Sequence, residues 1–348
     1  MDKIQNPLTG RLVIANGTVA KKLYNMHIKG QLSLPRKDYI ILKKYFAKIK
    51  AKEADIKEDP KPKRSIVNES LLINLSSFEN IKVVSTQGTS RIYNAMYKGQ
   101  KYYVKEVIKN PSGKQARKNE YDNYDIELAV NEVLASRLYV NVYKVDAVEL
   151  YLVHNDSDDK RYHKYMVASK AIEIDTCEPI SDDCRNLIEN KIPGAIEPFL
   201  VDCILANWDV GSRGNVGIVY NNSKKEAFRI DVGGALLFRA LGAKRNFTNV
   251  PNEHLQFFQF HNKGYKLFNN ITKEQIDKCY KVIERVNLEK IDKQGKLLQN
   301  VVETLPDKKD IDKATKVLSV LDTVKDRHEY YINNKPAIVK FLESKLHA

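Results

Sequence analysis

Two short runs hold the residues best suited to chemistry. The first is Ala206-Asn207-Trp208-Asp209-Val210-Gly211-Ser212-Arg213-Gly214-Asn215, and the second is Arg229-Ile230-Asp231-Val232-Gly233-Gly234-Ala235. Between them Val216–Tyr220, the turn Asn221-Asn222-Ser223-Lys224 and Ala227–Ile230 read as a β-hairpin. A hairpin returns the chain to where it began, so Asn215 and Asp231 should meet at its base. Two oxygen donors placed that way, with room left for phosphate oxygens and water, suit Mg²⁺ bound mainly through a nucleotide. Asp209, six residues before Asn215, can then aim a carboxylate at a substrate hydroxyl beside the metal.

The other half of such a site must hold phosphates. Gly88, flanked by Thr86, Gln87, Thr89 and Ser90, offers a tight turn whose backbone N–H groups and hydroxyls suit phosphate oxygens. Lys105, on a strand expected over Lys101–Ile108, can pair the nucleotide phosphates if a Glu on the following helix orients it; Glu132 is the first candidate and Glu127 the second. ATP and Mg²⁺ are the implied cofactors. Each residue also has a structural reading. Trp208 could be packed in the core at a helix end, and Arg229 could belong to a buried Arg–Asp pair beside a glycine turn. Cys203 reads as a small core residue. His254 and His261 bracket an aromatic run more typical of core than of ligands.

The elements that must position these residues follow from periodicity. Short β-prone runs at Ile81–Ser85, Arg91–Tyr97 and Lys101–Ile108 predict an antiparallel meander. Asp125–Tyr139 predicts a helix without Gly or Pro, and Val145–Val153 and Lys164–Ala168 two further strands. Helices are expected at Ile196–Ala206, Thr272–Val286, Ile291–Val302 and Asp310–Asp326. Before all of these, Asp38–Ile56 reads as a helix, and Lys57-Glu58-Asp59-Pro60-Lys61-Pro62-Lys63-Arg64 as a linker. The expected organisation is a basic segment over residues 1–64, a sheet lobe over 65–168 and a helical lobe over 169–348.

In this order the residues resemble the protein-kinase-like superfamily. The resemblance implies a bilobal α+β fold, with a small antiparallel sheet lobe and a helical lobe. It implies Lys105 as the strand lysine, Glu132 as its helix partner, Asp209 as the catalytic-loop aspartate, Asn215 as its downstream asparagine and Asp231 as the metal-binding aspartate. More narrowly, Asn207-Trp208-Asp209, Arg229-Ile230-Asp231 with Gly233-Gly234-Ala235-Leu236, and Asn131-Glu132-Val133-Leu134 are similar to an atypical kinase-like family of large DNA viruses and phages. Asn6-Pro7-Leu8-Thr9-Gly10-Arg11 and Asn16-Gly17-Thr18-Val19-Ala20-Lys21 are similar to a viral two-cysteine adaptor motif, with its cysteines absent. The sequence departs from protein kinases in three places. Asp209 to Asn215 is one residue longer, Val232-Gly233-Gly234 replaces Phe-Gly, and no Ala-Pro-Glu follows. Tyr103, on the strand face of Lys105, is large for a position facing adenine: either the base sits differently or the strand register shifts.

The resemblance thus implies a serine/threonine protein kinase acting on a protein hydroxyl, in host cytoplasm or a virion. Two alternatives stand beside it: an inactive kinase-like virion or adaptor protein, and a kinase of small molecules or lipid headgroups. Composition bounds these readings. The 348 residues carry 58 Lys+Arg against 44 Asp+Glu, a net charge of +14. Residues 1–64 hold 16 Lys/Arg against 6 Asp/Glu, a surplus of 10. That segment reads as a basic arm for nucleic acid or an acidic partner, or as a solvated arm. No apolar run long enough to span a membrane and no signal peptide is read. The cysteines Cys177, Cys184, Cys203 and Cys279 have neither zinc-site nor disulfide-framework spacing, which fits a reducing compartment.

Overall fold

The computed structural model describes residues 3–5, 12–14, 23, 70–85, 90–107, 125–157, 159–175, 192–211, 214–221, 224–239, 242–259, 268 and 271–345. The chain divides into two compact units, Met1–Glu69 and Ser70–Ala348. In the first, β1 (Lys3–Gln5) pairs antiparallel with β2 (Leu12–Ile14). The helix expected at Asp38–Ile56 and the proline linker lie outside the described residues.

The second unit opens with a sheet. Its strands are β3 (Leu72–Asn74), β4 (Glu79–Ser85), β5 (Ile92–Tyr97), β6 (Gln100–Glu106), β7 (Leu150–His154) and β8 (Tyr165–Lys170), in the order β3-β7-β8-β6-β5-β4. All neighbours are antiparallel except β3 with β7. Lys98 and Gly99 join β5 to β6 with φ of 50° and 72°, the left-handed pair that a two-residue hairpin turn demands. Along β6 the pleat sorts the side chains: Tyr102, Val104 and Glu106 are buried on one face, and Tyr103 and Lys105 share the other. Tyr102 meets Phe78, Tyr97 and Tyr151 edge-on, and with Ile73, Tyr93, Val153 and Met166 they form the core of that face.

Helix α1 (Asp125–Arg137) packs on β7 and β8 and runs on into a π turn, Leu138–Val142. Then come α2 (Phe199–Ile204), the hairpin β9 (Val216–Asn221) and β10 (Lys224–Arg229), and α3 (Glu253–Gln256). Helices α4 (Lys273–Glu284), α5 (Glu289–Val302), α6 (Lys308–Leu318), α7 (Val320–Asn333) and α8 (Lys335–Ser344) complete the helical lobe. Thr272 and Gln275 cap α4 reciprocally. The fold is therefore the expected α+β class, a small, mostly antiparallel sheet lobe followed by a helical lobe. Among the described residues no helix is long and apolar enough to cross a membrane.

Several expected boundaries move. The strand expected at Val145–Val153 is formed only from Leu150, because residues 147 and 148 pair with Arg229 at the end of β10 instead. The helix expected from Ile196 starts at Phe199: a residue preceding proline is pushed out of helical conformation, and Pro198 sits at the N-cap. The single helix expected at Asp310–Asp326 is two, α6 and α7, broken at Ser319, whose hydroxyl bonds the Lys316 carbonyl. β3, three residues long, and α8 were not expected from the sequence.

Candidate functional site

Lys105 projects from β6 into a cleft of about 460 Å³ between the two lobes. Its Nζ donates to Glu132 Oε1 and Oε2 at 3.1 and 3.2 Å and to Asp231 Oδ1 at 3.3 Å. Glu132 is thus the helix partner. Glu127, the second candidate, accepts instead from Lys244 at 3.0 Å. The Glu132 side chain is 8% exposed and that of Asp231 is 41%, so one carboxylate is structural and the other open to the cleft.

The electrostatics follow from this placement. Burial works against the Lys105 charge, but Asp231 and Glu132 outweigh it and hold the ammonium above its ordinary value. Burial also pushes Glu132 up, opposed by Lys105 and reinforced by Asp231. At Asp231 burial is outweighed by the Lys105 charge and the Gly233 N–H, which donates to Oδ1 at 3.0 Å, and the carboxyl lies below its usual range. Both bonds to Asp231 use Oδ1, which leaves Oδ2 on the cleft-facing carboxylate as the atom for a cation.

The hairpin places Asn215 as expected. Val216 pairs with Arg229 in the ladder, and Ile230 N donates to the Asn215 carbonyl at 2.8 Å, one residue from Asp231. The Asn215 amide nitrogen is committed to Asp209, donating to its carbonyl at 2.8 Å and to Oδ2 at 2.9 Å. With its nitrogen so used, Asn215 presents Oδ1 to any further partner. Oxygen atoms from one amide and one carboxylate, flanking a cleft with room for phosphates, are a donor set that fits Mg²⁺. Asp209 and Asn215 adjoin the cleft through this hairpin base and do not line it; Lys105, Glu132, Asp231 and the buried Ser90 do. Gly88 and Thr89 lie outside the described residues.

The loop carrying Asp209 is set by groups that sequence reasoning did not find. Ala206 has φ of 52° and ends α2, turning the chain into Asn207. Arg327 on α7 receives the last carbonyls of α2, donating to Ile204 and Cys203 at 2.7 Å each. Under the loop, Asp202 accepts from Tyr139 at 2.7 Å and from Arg229 at 2.8 Å, and Asn207 donates to the Tyr139 hydroxyl at 3.1 Å. The buried partner of Arg229 is therefore Asp202. Trp208 is not a core residue: it is 38% exposed beside Asp209, and its Nε1 donates to Glu253 at 3.4 Å. Cys203 and His254 are buried as expected, His254 against the Tyr331 hydroxyl at 3.1 Å.

Two more residues tie the site together. Arg245 donates to the carbonyls of Ala206, Gly234 and Phe238, joining the Asp209 loop to the segment after Asp231. Asn131, fully buried one residue before Glu132, donates to Ala235 O at 3.0 Å and accepts from Leu237 N at 3.1 Å. The available signal was an amide in the middle of an apolar helical run, where propensity disfavours it. Tyr103 does line the cleft with Lys105, and Ile92, Val167, Phe228 and Ile230 line it as well. The strand register is as expected, and the bulky ring occupies the cleft.

No protein-family model matches the chain, and no curated protein matches it. Among solved structures it is similar to the Helicobacter pylori proinflammatory kinase CtkA, at 14% identity and a TM-score of 0.41, covering 76% of this chain and 98% of that one. It is also similar to WaaP in complex with acyl carrier protein, at 13% identity and a TM-score of 0.28, covering 76% of this chain and 87% of that one. Both superpose loosely.

Proposed function

We propose that the chain is an ATP-dependent phosphotransferase that moves the γ-phosphoryl group to a serine or threonine hydroxyl of a protein. The observation that carries this reading is the ammonium of Lys105 held between a buried Glu132 and a cleft-facing Asp231. A lysine neutralised twice over is an expensive arrangement for a structural role, and an apt one for a cation that must exchange a carboxylate for phosphate oxygens.

In this reading Lys105 binds the nucleotide phosphates and Glu132 keeps its ammonium oriented. Ile92, Tyr103 and Val167 from the sheet, with Phe228 and Ile230 from below, enclose the base. Asn215 Oδ1 and Asp231 Oδ2 would hold Mg²⁺, which when bound neutralises charge building on the phosphates. Asp209 orients the acceptor hydroxyl and takes its proton, while its bond from Asn215 fixes the direction of the carboxylate. The exposed Trp208 ring next to Asp209 offers an apolar surface to a polypeptide acceptor, which favours a protein over a small polar substrate. The basic segment over residues 1–64 is assigned to an acidic or nucleic-acid partner by its charge, and the viral affiliation rests on sequence motifs alone.

The test is transfer of labelled phosphate from γ-labelled ATP to a panel of proteins, lipids and small alcohols, beside Lys105→Met and Asp209→Asn. The reading expects protein labelling that both variants reduce by roughly 10³-fold or more. Labelling unaffected by either substitution would remove the assignment, and labelling confined to lipids or small alcohols would reassign the acceptor.

A further inference from the structure

A helix that swings to make and break a lysine–glutamate pair needs a face it can slide on. Helix α1, which carries Glu132, has none: every residue from Ile126 to Ser136 is buried, the polar Glu127, Asn131, Glu132 and Ser136 included. Apart from the cleft that Glu132 lines, a helix so buried is held on every side, and the contacts name what holds it.

On one side is the sheet. Ser136 Oγ donates to Val148 O at 2.6 Å and accepts from Leu150 N at 2.9 Å, fixing the end of α1 to the start of β7. On another are the C-terminal helices, since α5 and α6 both pack against α1. Arg137 Nε donates to the α5 residue Gln294 at 2.8 Å. Asp310 on α6 accepts from Lys164 Nζ at 2.6 Å and from the Tyr165 hydroxyl at 3.0 Å, fastening α6 to the start of β8 and closing it over α1. The third restraint is the Asn131 amide, bonded both ways to the backbone of Ala235 and Leu237. It sets Glu132 and Asp231 in one register, because one partner precedes Glu132 and the others follow Asp231 by a few residues. Gly233 completes the fit: a Cβ there would lie 2.2 Å from Glu132 Oε1.

We infer that α1 is a fixed element and not a switch: the C-terminal helices and Asn131 hold Glu132 against Lys105 before any nucleotide or partner binds, and Asn131 is a positioning residue for that pair. Its consequence for turnover rests on the phosphotransfer reading; the lock itself does not. A chain so built needs no modification or partner to assemble its lysine–glutamate pair, and regulation must act elsewhere, on substrate access or abundance.

Hydrogen exchange of the full-length, nucleotide-free chain tests the lock directly. Peptides over 125–137 should exchange as slowly as those of α5, and Mg·ATP should leave them unchanged; fast exchange of α1 that slows on adding Mg·ATP would overturn the inference. In Asn131→Ala, peptides over 125–137 and 231–237 should exchange roughly tenfold faster or more, reflecting local opening, and Lys105 should acylate faster. Turnover should fall by about 10²-fold, with KM for ATP held within about threefold, because orientation is lost while the binding surface remains. Asn131→Asp adds a pH signature. A protonated carboxyl can donate and accept as the amide does, so its turnover relative to the native chain should rise as pH falls. Exchange and turnover of Asn131→Ala equal to the native chain would remove the positioning role. Should Asn131→Ala fail to fold, Asp310→Ala, which touches neither Lys105 nor Asp231, supplies the same exchange reading: faster exchange over 125–137 supports the lock and native exchange contradicts it. If the chain transfers no phosphate, the exchange results still decide whether α1 is fixed.

Discussion

Gly233 is where one added carbon should separate folding from function. A Cβ built there lies 2.2 Å from Glu132 Oε1, 2.7 Å from Cδ and 3.1 Å from Cγ. Ordinary contact is at ~3.5 Å, so the carboxylate must retreat by roughly 1 Å. It cannot do so and keep both bonds to Lys105, at 3.1 and 3.2 Å. Overpacking of this kind costs about 1–3 kcal/mol, an amount a unit with this much buried apolar surface survives. Misplacing a lysine proposed to bind phosphate by about 1 Å costs on the order of 10²-fold in rate. Gly233→Ala should therefore fold and bind Mg·ATP weakly while losing most of its turnover. The assay is denaturant unfolding with turnover for Gly233→Ala, Glu132→Ala and the double variant. Removing the carboxylate makes room for the methyl, so the stability cost of Gly233→Ala should vanish in the Glu132→Ala background. An equal cost in both backgrounds, or native turnover in Gly233→Ala, would show that Gly233 does not set the position of Glu132.

Three further outcomes are expected. Asp202→Ala leaves the Arg229 guanidinium buried without its counter-charge and should destabilise the chain by about 3–5 kcal/mol; a loss under about 1 kcal/mol in chemical denaturation contradicts the role given to the pair. Burial holds His328 at about 4, against 6.5 for an open imidazole, so the unfolded chain takes up a proton between those values that the folded chain refuses. Stability from the neutral ring is complete above pH 6.5 and is lost as pH falls towards 4, so the advantage of the native chain over His328→Gln should shrink by about 3 kcal/mol across that window; a constant difference would show that the ring does not titrate this way. Tyr103→Ala removes an aromatic wall of the cleft and should weaken ATP binding about tenfold, the scale of one base–aromatic stack, while admitting ATP analogues with a bulky base substituent. Unchanged affinity for both nucleotides would place the base elsewhere.

How much of this was legible in sequence depends on the range of the interaction. The hairpin that joins Asn215 to Asp231 was readable because a turn and two β-prone runs are local, and its geometry follows from pairing alone. Lys105 with Glu132 was readable as a strand followed by a helix, with Glu132 ahead of Glu127, and the structure pairs Lys105 with Glu132 and Lys244 with Glu127. The Asp202–Tyr139–Asn207 network, the Arg327 cap on α2 and the Arg245 bridge were not readable. Their long-range bonds, Tyr139 to Asp202 and Asn207, Arg245 to Ala206 and Arg327 to Cys203, join residues 39 to 124 positions apart, and nothing in local periodicity marks an Arg as buried. The same limit explains Trp208, which belongs in a core by composition and is 38% exposed. The break at Ser319 was missed because serine is tolerated within helices, and only its bond back to Lys316 reveals the interruption.

The central claim, that Lys105, Glu132, Asp231 and Asn215 form a nucleotide–metal site, is tested most directly by thermal unfolding with ATP, with and without Mg²⁺, for the native chain and Asp231→Asn. Ligand at 100 times its dissociation constant stabilises by about 2.7 kcal/mol, a rise of a few degrees in a unit of this size. The native chain should show a rise that requires Mg²⁺ and is absent from Asp231→Asn. An equal rise in both proteins, or none in either, would remove this site.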